Sequence, residues 1–193
     1  MDKKINSNLI LAQHMTFETD RLILRKITLD DAEDFLIYHS DPKVASLAGF
    51  GLSRNLDEAQ NFIINFNFRH SLCNWCLELK VNHQVIGDVG LNLEGDGCMT
   101  EIFYALNQDF WGQGLMPEAI GALTSFCFDK LAVDVIYASA IVENKQSRRV
   151  LEKLGFQPLG QIYTINRGLP HLADYFALKG NGALKKNNEE TNG

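Results

Sequence analysis

The stretch from Leu106 to Glu118 carries the clearest chemistry in the sequence. Strand-forming residues, Thr100 to Leu106, give way to Trp111-Gly112-Gln113-Gly114, and an amphipathic helical pattern begins at Leu115. Two glycines one residue apart make a tight turn, and the first N–H groups of the following helix have no intrahelical partner. Those amides and the positive end of the helix dipole can cradle a phosphate or a diphosphate. A side chain at either glycine would block the approach of an anion to the backbone. Taken alone, G-x-G before a helix is equally well an ordinary tight turn. Neither G-x-x-x-x-G-K-[ST] nor G-x-G-x-x-G is present, since Pro117 stands where the latter needs its third glycine.

The remaining reactive residues give weaker signals. Cys73-Asn74-Trp75-Cys76 is a C-x-x-C, but no second pair and no histidine at ligand spacing accompanies it, so no metal is expected. It runs into a strand instead of opening a helix, which favours two ordinary thiols and leaves a redox role open. Cys127 falls on the apolar face of a helix and reads as an inert buried thiol. The histidines at 14, 39, 70, 83 and 171 are isolated in sequence, and none is assigned to catalysis.

Several elements must position the turn. Leu22 to Leu24 form a strand between Arg21 and Arg25, and Thr28 caps a helix that runs to about His39, before Asp41-Pro42. A second helix starts at Asn55, with Ala59, Phe62, Ile63 and Phe66 as its apolar stripe. Cys76–Val81 and Val85–Leu93 read as a hairpin around Asn82-His83-Gln84. After the helix that starts at Leu115, Val133–Val142 reads as a strand buried on both faces. A helix over Lys145–Leu154 stops at Gly155, and Leu159–Ile165 and Asp174–Leu178 are two last strands. The strand–helix–strand unit around the glycines implies a parallel pair with a right-handed crossover, and the hairpins imply antiparallel pairing elsewhere. The fold class is therefore α/β (α+β) with a mixed, mostly antiparallel sheet of about six or seven strands flanked by about four helices.

At 193 residues one domain is expected. It spans residues 16–178, after a flexible extension over 1–15 and before a disordered tail over 179–193 that is rich in Lys, Asn, Glu and Gly. The net charge of −6 argues against nucleic acid as a partner and suits a cationic substrate. No apolar run reaches the roughly 18–20 residues of a membrane helix, and Leu9–Ala12 is too short for a secretory leader. The expected location is the cytoplasm, with no membrane partner, as a monomer or a homodimer.

Three separated segments resemble one superfamily. Glu101 to Leu106 followed by Trp111-Gly112-Gln113-Gly114-Leu115-Met116-Pro117-Glu118-Ala119 is similar to the GNAT acetyl-CoA motif, Q/R-x-x-G-x-G/A. Asn144 to Phe156 resembles the second motif, N-x-x-S followed by a helix ending in K-x-G-F. Glu18-Thr19-Asp20-Arg21-Leu22-Ile23-Leu24-Arg25 resembles the first strand of the RimJ/RimL-type branch, which acetylates protein N-termini and other amines. The likeness covers about residues 16 to 178. Trp111 stands at the Q/R position, as is common in that branch, and Met116 stands at the final G/A position. Pro117 removes one N–H from the cradle unless it merely starts the helix.

The resemblance implies a GNAT fold with a splayed parallel strand pair and an acyltransferase that moves acetyl from acetyl-CoA to a primary amine. It implies coenzyme contacts at Tyr104, Ala105, Leu106, Trp111, Gly112, Gln113, Gly114, Leu115, Met116 and Asn144. The pantetheine arm would pair with backbone at Tyr104 to Leu106, and the Leu106 amide or a neighbour would polarise the thioester carbonyl. Glu101 is the implied general base, acting through water, and Ser147 the implied acid near the thiolate. Leu151 stands where many relatives carry a tyrosine. Tyr163, Arg167 and Asp174 would line the acceptor cleft. The residues also permit a non-catalytic acetyl-CoA-binding module, and a nucleotide-binding enzyme of another fold.

Overall fold

The computed structural model describes residues 6–70, 72–94, 98–166 and 169–180. Among these residues eight strands form one sheet: β1 (Phe17–Glu18), β2 (Leu22–Arg25), β3 (Asn74–Leu79), β4 (Val85–Glu94), β5 (Met99–Leu106), β6 (Val135–Ile141), β7 (Gln157–Asn166) and β8 (Leu169–Lys179). Their order is β1-β2-β3-β4-β5-β6-β8-β7, and every neighbouring pair is antiparallel except β5 with β6. Among the described residues six α-helices accompany them: α1 (Ser7–Gln13), α2 (Ala32–His39), α3 (Pro42–Ala48), α4 (Leu56–His70), α5 (Leu115–Asp129) and α6 (Lys145–Lys153). The mixed class is the expected one, with one or two more strands and two more helices than the sequence suggested.

The extra helices have local causes. Asp41 Oδ1 accepts the Lys43 and Val44 amides, and Pro42 supplies a fixed φ at the first helical position, so α3 starts where a stop was expected. Gly49 ends it at φ 85°. Helix α1 falls within residues 1–15, the segment expected to be a flexible extension. Its Leu11 is fully buried in the core, which anchors the turn. The expected tail lies, beyond Gly180, outside the described residues.

Two apolar layers sandwich the sheet. Leu115, Ile120, Leu123 and Cys127 of α5, with Leu151 of α6, pack on one face against Trp75, Leu77, Ile102, Ile136 and Phe176. Phe35 and Tyr38 of α2, Val44 of α3 and Ile63 of α4 pack on the other against Cys76 and Ala105.

The β5–β6 pair matters most for the site. It runs for three rungs, Met99 with Val135, Thr100 with Ile136 and Glu101 with Tyr137, and then the strands part. Strand β5 stays paired to β4 as far as Leu106, and β6 stays paired to β8 as far as Ile141. Each diverging strand is thus held by its other neighbour, and the gap between them is fixed.

Candidate active site

The cleft begins in that gap. The Asn107 amide donates to the Ile86 carbonyl at 2.8 Å. Antiparallel alternation then turns the Ala105 and Phe103 amides toward β4, and the Tyr104 and Leu106 amides away from it, into the gap. The Leu106 carbonyl points the same way and accepts the Trp111 indole N–H at 2.8 Å. A cleft of about 270 Å³ passes between Leu47 and Ala48 of α3 on one face of the sheet and Ser147 and Val150 of α6 on the other. Its walls include Tyr104, Ala105, Leu106, Trp111, Gly112, Gly114, Leu115, Met116 and Asn144.

Gly112 and Gly114 sit where the cleft meets the start of α5. Gly112 and Gly114 have φ values of 76° and 77°, a left-handed conformation that side chains resist. A Cβ on Gly112 would meet nothing within 4 Å, so the approach to the backbone is open. Gly114 is the N-cap of α5, and the first intrahelical bond runs from the Glu118 amide to the Gly114 carbonyl. Pro117 therefore falls in the first turn, where its missing N–H breaks no helical bond, and the Leu115 and Met116 amides remain as cradle donors.

Two cations flank this turn, and the sequence reading assigned neither. Arg21 Nη2 and Lys153 Nζ lie 3.6 and 4.0 Å from where a Cβ on Gly114 would be. Arg21 also clasps the turn: Nη1 donates to the Gln113 carbonyl at 2.9 Å, and Nε to Glu118 Oε2 at 2.7 Å. Glu118 Oε1 accepts from the Thr19 hydroxyl at 2.5 Å and from the Arg21 amide at 2.8 Å. These donors hold the Glu118 carboxyl below its usual range against the opposing effect of burial. Lys153 lines the cleft, as does Arg149 one turn earlier on α6. Among the described residues neither has an acidic partner in ion-pair range. An open cradle with free amides and two cations fits a diphosphate.

The expected catalytic residues lie on opposite faces of the sheet. Glu101 sits on the last paired rung, at the vertex of the gap, on the face of α2 and α4, and its Oε2 accepts from Asn92 Nδ2 at 3.1 Å. Burial, with Glu101 and Glu94 nearby, raises the Tyr175 pKa on that same face. Ser147 lies on the α6 side, with its Oγ 2.7 Å from the Tyr104 hydroxyl. Asn144, not Ser147, caps α6: its Oδ1 accepts the Ser147 amide at 3.0 Å, and its Nδ2 donates to the Leu47 carbonyl at 3.3 Å.

A second hollow of about 220 Å³ adjoins α3 on its other side. Leu47 and Ala48 line both hollows, and Ser139, Ile141, Thr164 and Ala173 line the second alone. Of the residues expected to contact the acceptor, Tyr163 and Asp174 are not among those lining it. Tyr163 is largely exposed on β7. Asp174 turns to the α6 face, where it accepts from Gln161 Nε2 at 2.9 Å and lies 3.1 Å from Arg148 Nη1. Arg167 lies outside the described residues.

The C-x-x-C thiols are free, and burial pushes Cys76 up to about 12. Among the described residues no group of three metal-binding side chains forms, and no helix is long and apolar enough to cross a membrane.

Comparison with known proteins agrees with this geometry. The family model for the acetyltransferase (GNAT) domain matches residues 21–157. An uncharacterized N-acetyltransferase of Bacillus subtilis, YoaA, is 29% identical over 168 residues, covering 83% of this chain and 94% of its own. A GNAT-family acetyltransferase structure from Bacillus anthracis superposes with a TM-score of 0.77 at 24% identity, over 86% of this chain and 98% of that one. The ribosomal-protein-S5-alanine acetyltransferase of Vibrio fischeri superposes with a TM-score of 0.68 at 21% identity, over 86% and 97%.

Proposed function

This chain belongs to the GNAT acetyltransferase family and is an acetyl-CoA-dependent acyltransferase; from that premise we propose that it acetylates a primary amine by direct attack, the acceptor being a protein N-terminal α-amine or a small-molecule amine. The observation that carries the reading is the forced gap between β5 and β6, with the Gly112–Gly114 cradle opening onto the same cleft. Acetyl-CoA would bring a thioester as the electrophile. The amides of residues 112–116 and Lys153 would hold its diphosphate, and the Leu106 amide, turned into the gap, would polarise the carbonyl. The second hollow beyond α3 suits an acceptor approaching from the far face.

An α-amine with pKa near 8 is about one-tenth neutral at pH 7, while a lysine amine is neutral in fewer than about one molecule in a thousand. The first asks little of a base. Glu101 at the vertex of the gap is the base we assign, reaching the amine through water. The RimJ/RimL-type branch, and with it a protein acceptor in the cytoplasm, is supported by the Glu18–Arg25 segment and by the name of the Vibrio fischeri structure.

Thiol release from acetyl-CoA, measured against N-terminal peptides, polyamines and aminoglycosides, tests the reading. Turnover with at least one amine, slowed by Glu101→Gln with its pH profile moved upward, is expected. Tight acetyl-CoA binding without turnover on any acceptor would make the protein a binding module instead.

A further inference from the structure

Tyr104 is the only tyrosine among the described residues lining the cleft, and its side chain does more than fill the wall. It lies on the α5 face of β5, with its hydroxyl 2.7 Å from Ser147 Oγ and 3.4 Å from the Ser147 carbonyl oxygen. Ser147 stands in the first turn of α6, nearly buried, with its amide already committed to Asn144 Oδ1. Two hydroxyl protons meet across one short contact, so one of them is left over for the cleft. If the phenol donates to Oγ, the leftover proton is the serine's. Burial drives the Tyr104 pKa well above the ordinary tyrosine value, against the opposing hydrogen bond to Ser147, and so keeps the phenol a neutral donor. Leu151, one turn further along α6, is buried and apolar, and offers no hydroxyl of its own.

We propose that Tyr104 is a positioning residue whose phenol donates to Ser147 Oγ and turns the serine O–H toward the sulfur that leaves as the amide forms. The proposal rests on the acetyl-transfer reading above. In that step the amine nitrogen and the acetyl carbon form a C–N bond, the C–S bond breaks, and its electron pair goes to sulfur. The amine gives up one proton and the sulfur ends with one, so no further reactant is needed. Ser147 passes its proton to the sulfur as charge builds on it and regains one from water, the proton shed by the amine leaves through water to Glu101, and Tyr104 keeps its own proton throughout.

The test compares Tyr104→Phe, Ser147→Ala and the double variant by kcat and by KM for acetyl-CoA, with thermal melts alongside. Tyr104→Phe should lower kcat about tenfold, a fraction of what a positioned proton donor supplies, with KM within about twofold. Because the phenol acts through the serine, the double variant should be no slower than Ser147→Ala alone. Tyr104→Met deletes the same hydroxyl and gives a second reading if the phenylalanine variant does not fold. A wild-type kcat in Tyr104→Phe or in Ser147→Ala, a change confined to KM, or a double variant as slow as the two effects multiplied would each overturn the proposal. A wild-type protein that turns over no amine would refute the acetyl-transfer reading itself, which is a separate outcome.

Discussion

His39 and Asp88 show how single buried groups govern stability around the site. His39 is stacked between Phe35 and Phe50 at centroid distances of 3.9 and 3.8 Å, and burial lowers its pKa to about 3. Asp88 faces the same helical layer and accepts the Tyr38 hydroxyl at 3.0 Å; burial raises its pKa to about 7 against that hydrogen bond. The signs differ. His39 contributes stability that is present above its unfolded pKa near 6.5 and is lost as pH falls toward 3. Asp88 contributes stability that is present below its unfolded pKa near 3.9 and is lost as pH rises through 7. Between about pH 5 and 6.5 the two slopes oppose, each limited to about 1.4 kcal/mol per pH unit. Asp31, Glu78 and Glu118, all held low, act mainly below that window. Denaturant titrations should show Asp88→Asn gaining stability as pH rises across this window and His39→Phe losing it. Parallel slopes in the two variants would show that neither group titrates as described. Neither shift could be read from sequence, because a lone His and a lone Asp carry no sign of which helix will cover them.

At the level of elements, the glycine turn, α5, α6 and the crossover were all legible, because each has local punctuation: paired glycines, a 3.6-residue apolar period, and Gly155 as a stop. Helix α3 is not legible from periodicity, although Asp41-Pro42 is a good N-cap and first residue, because a proline there marks the end of one helix as readily as the start of the next. The helix matters, since it walls both hollows. The facing of Tyr163 and Asp174 is not legible for a different reason. Strand alternation fixes that neighbours face opposite sides, but not which side meets α3, and Asp174 shares the face of the core residue Phe176. The tie between the start of β2 and the glycine turn was also invisible, being a contact across 97 residues. It carries a prediction. Arg21→Gln loses the Glu118 ion pair and the guanidinium bond to the Gln113 carbonyl, so the turn should loosen. Acetyl-CoA affinity should fall about tenfold with kcat at saturation little changed, as read by calorimetry and steady-state rates. Unchanged affinity would reduce the clasp to surface decoration.

Across the whole molecule, the arrangement follows from one topological fact. A parallel pair in an otherwise antiparallel sheet needs a crossover, and here the crossover is α5, whose N-terminus must then sit at the end of β5. The same crossover leaves β5 and β6 anchored to different outer neighbours, so the sheet splits between them and exposes backbone donors beside a helix N-terminus. The sequence motifs pointed to this split, while its extent, three rungs and no more, needed the structure. Helices on both faces then make the gap a passage, with α6 on one side and α3 on the other.

Amide hydrogen–deuterium exchange with and without saturating acetyl-CoA reads that passage directly. Peptides covering residues 104–106 and 112–116 should exchange more slowly when the coenzyme is present, and those from the outer strand β7 should not change. Unaltered exchange in both segments under conditions where acetyl-CoA is bound, with protection appearing elsewhere, would contradict the account.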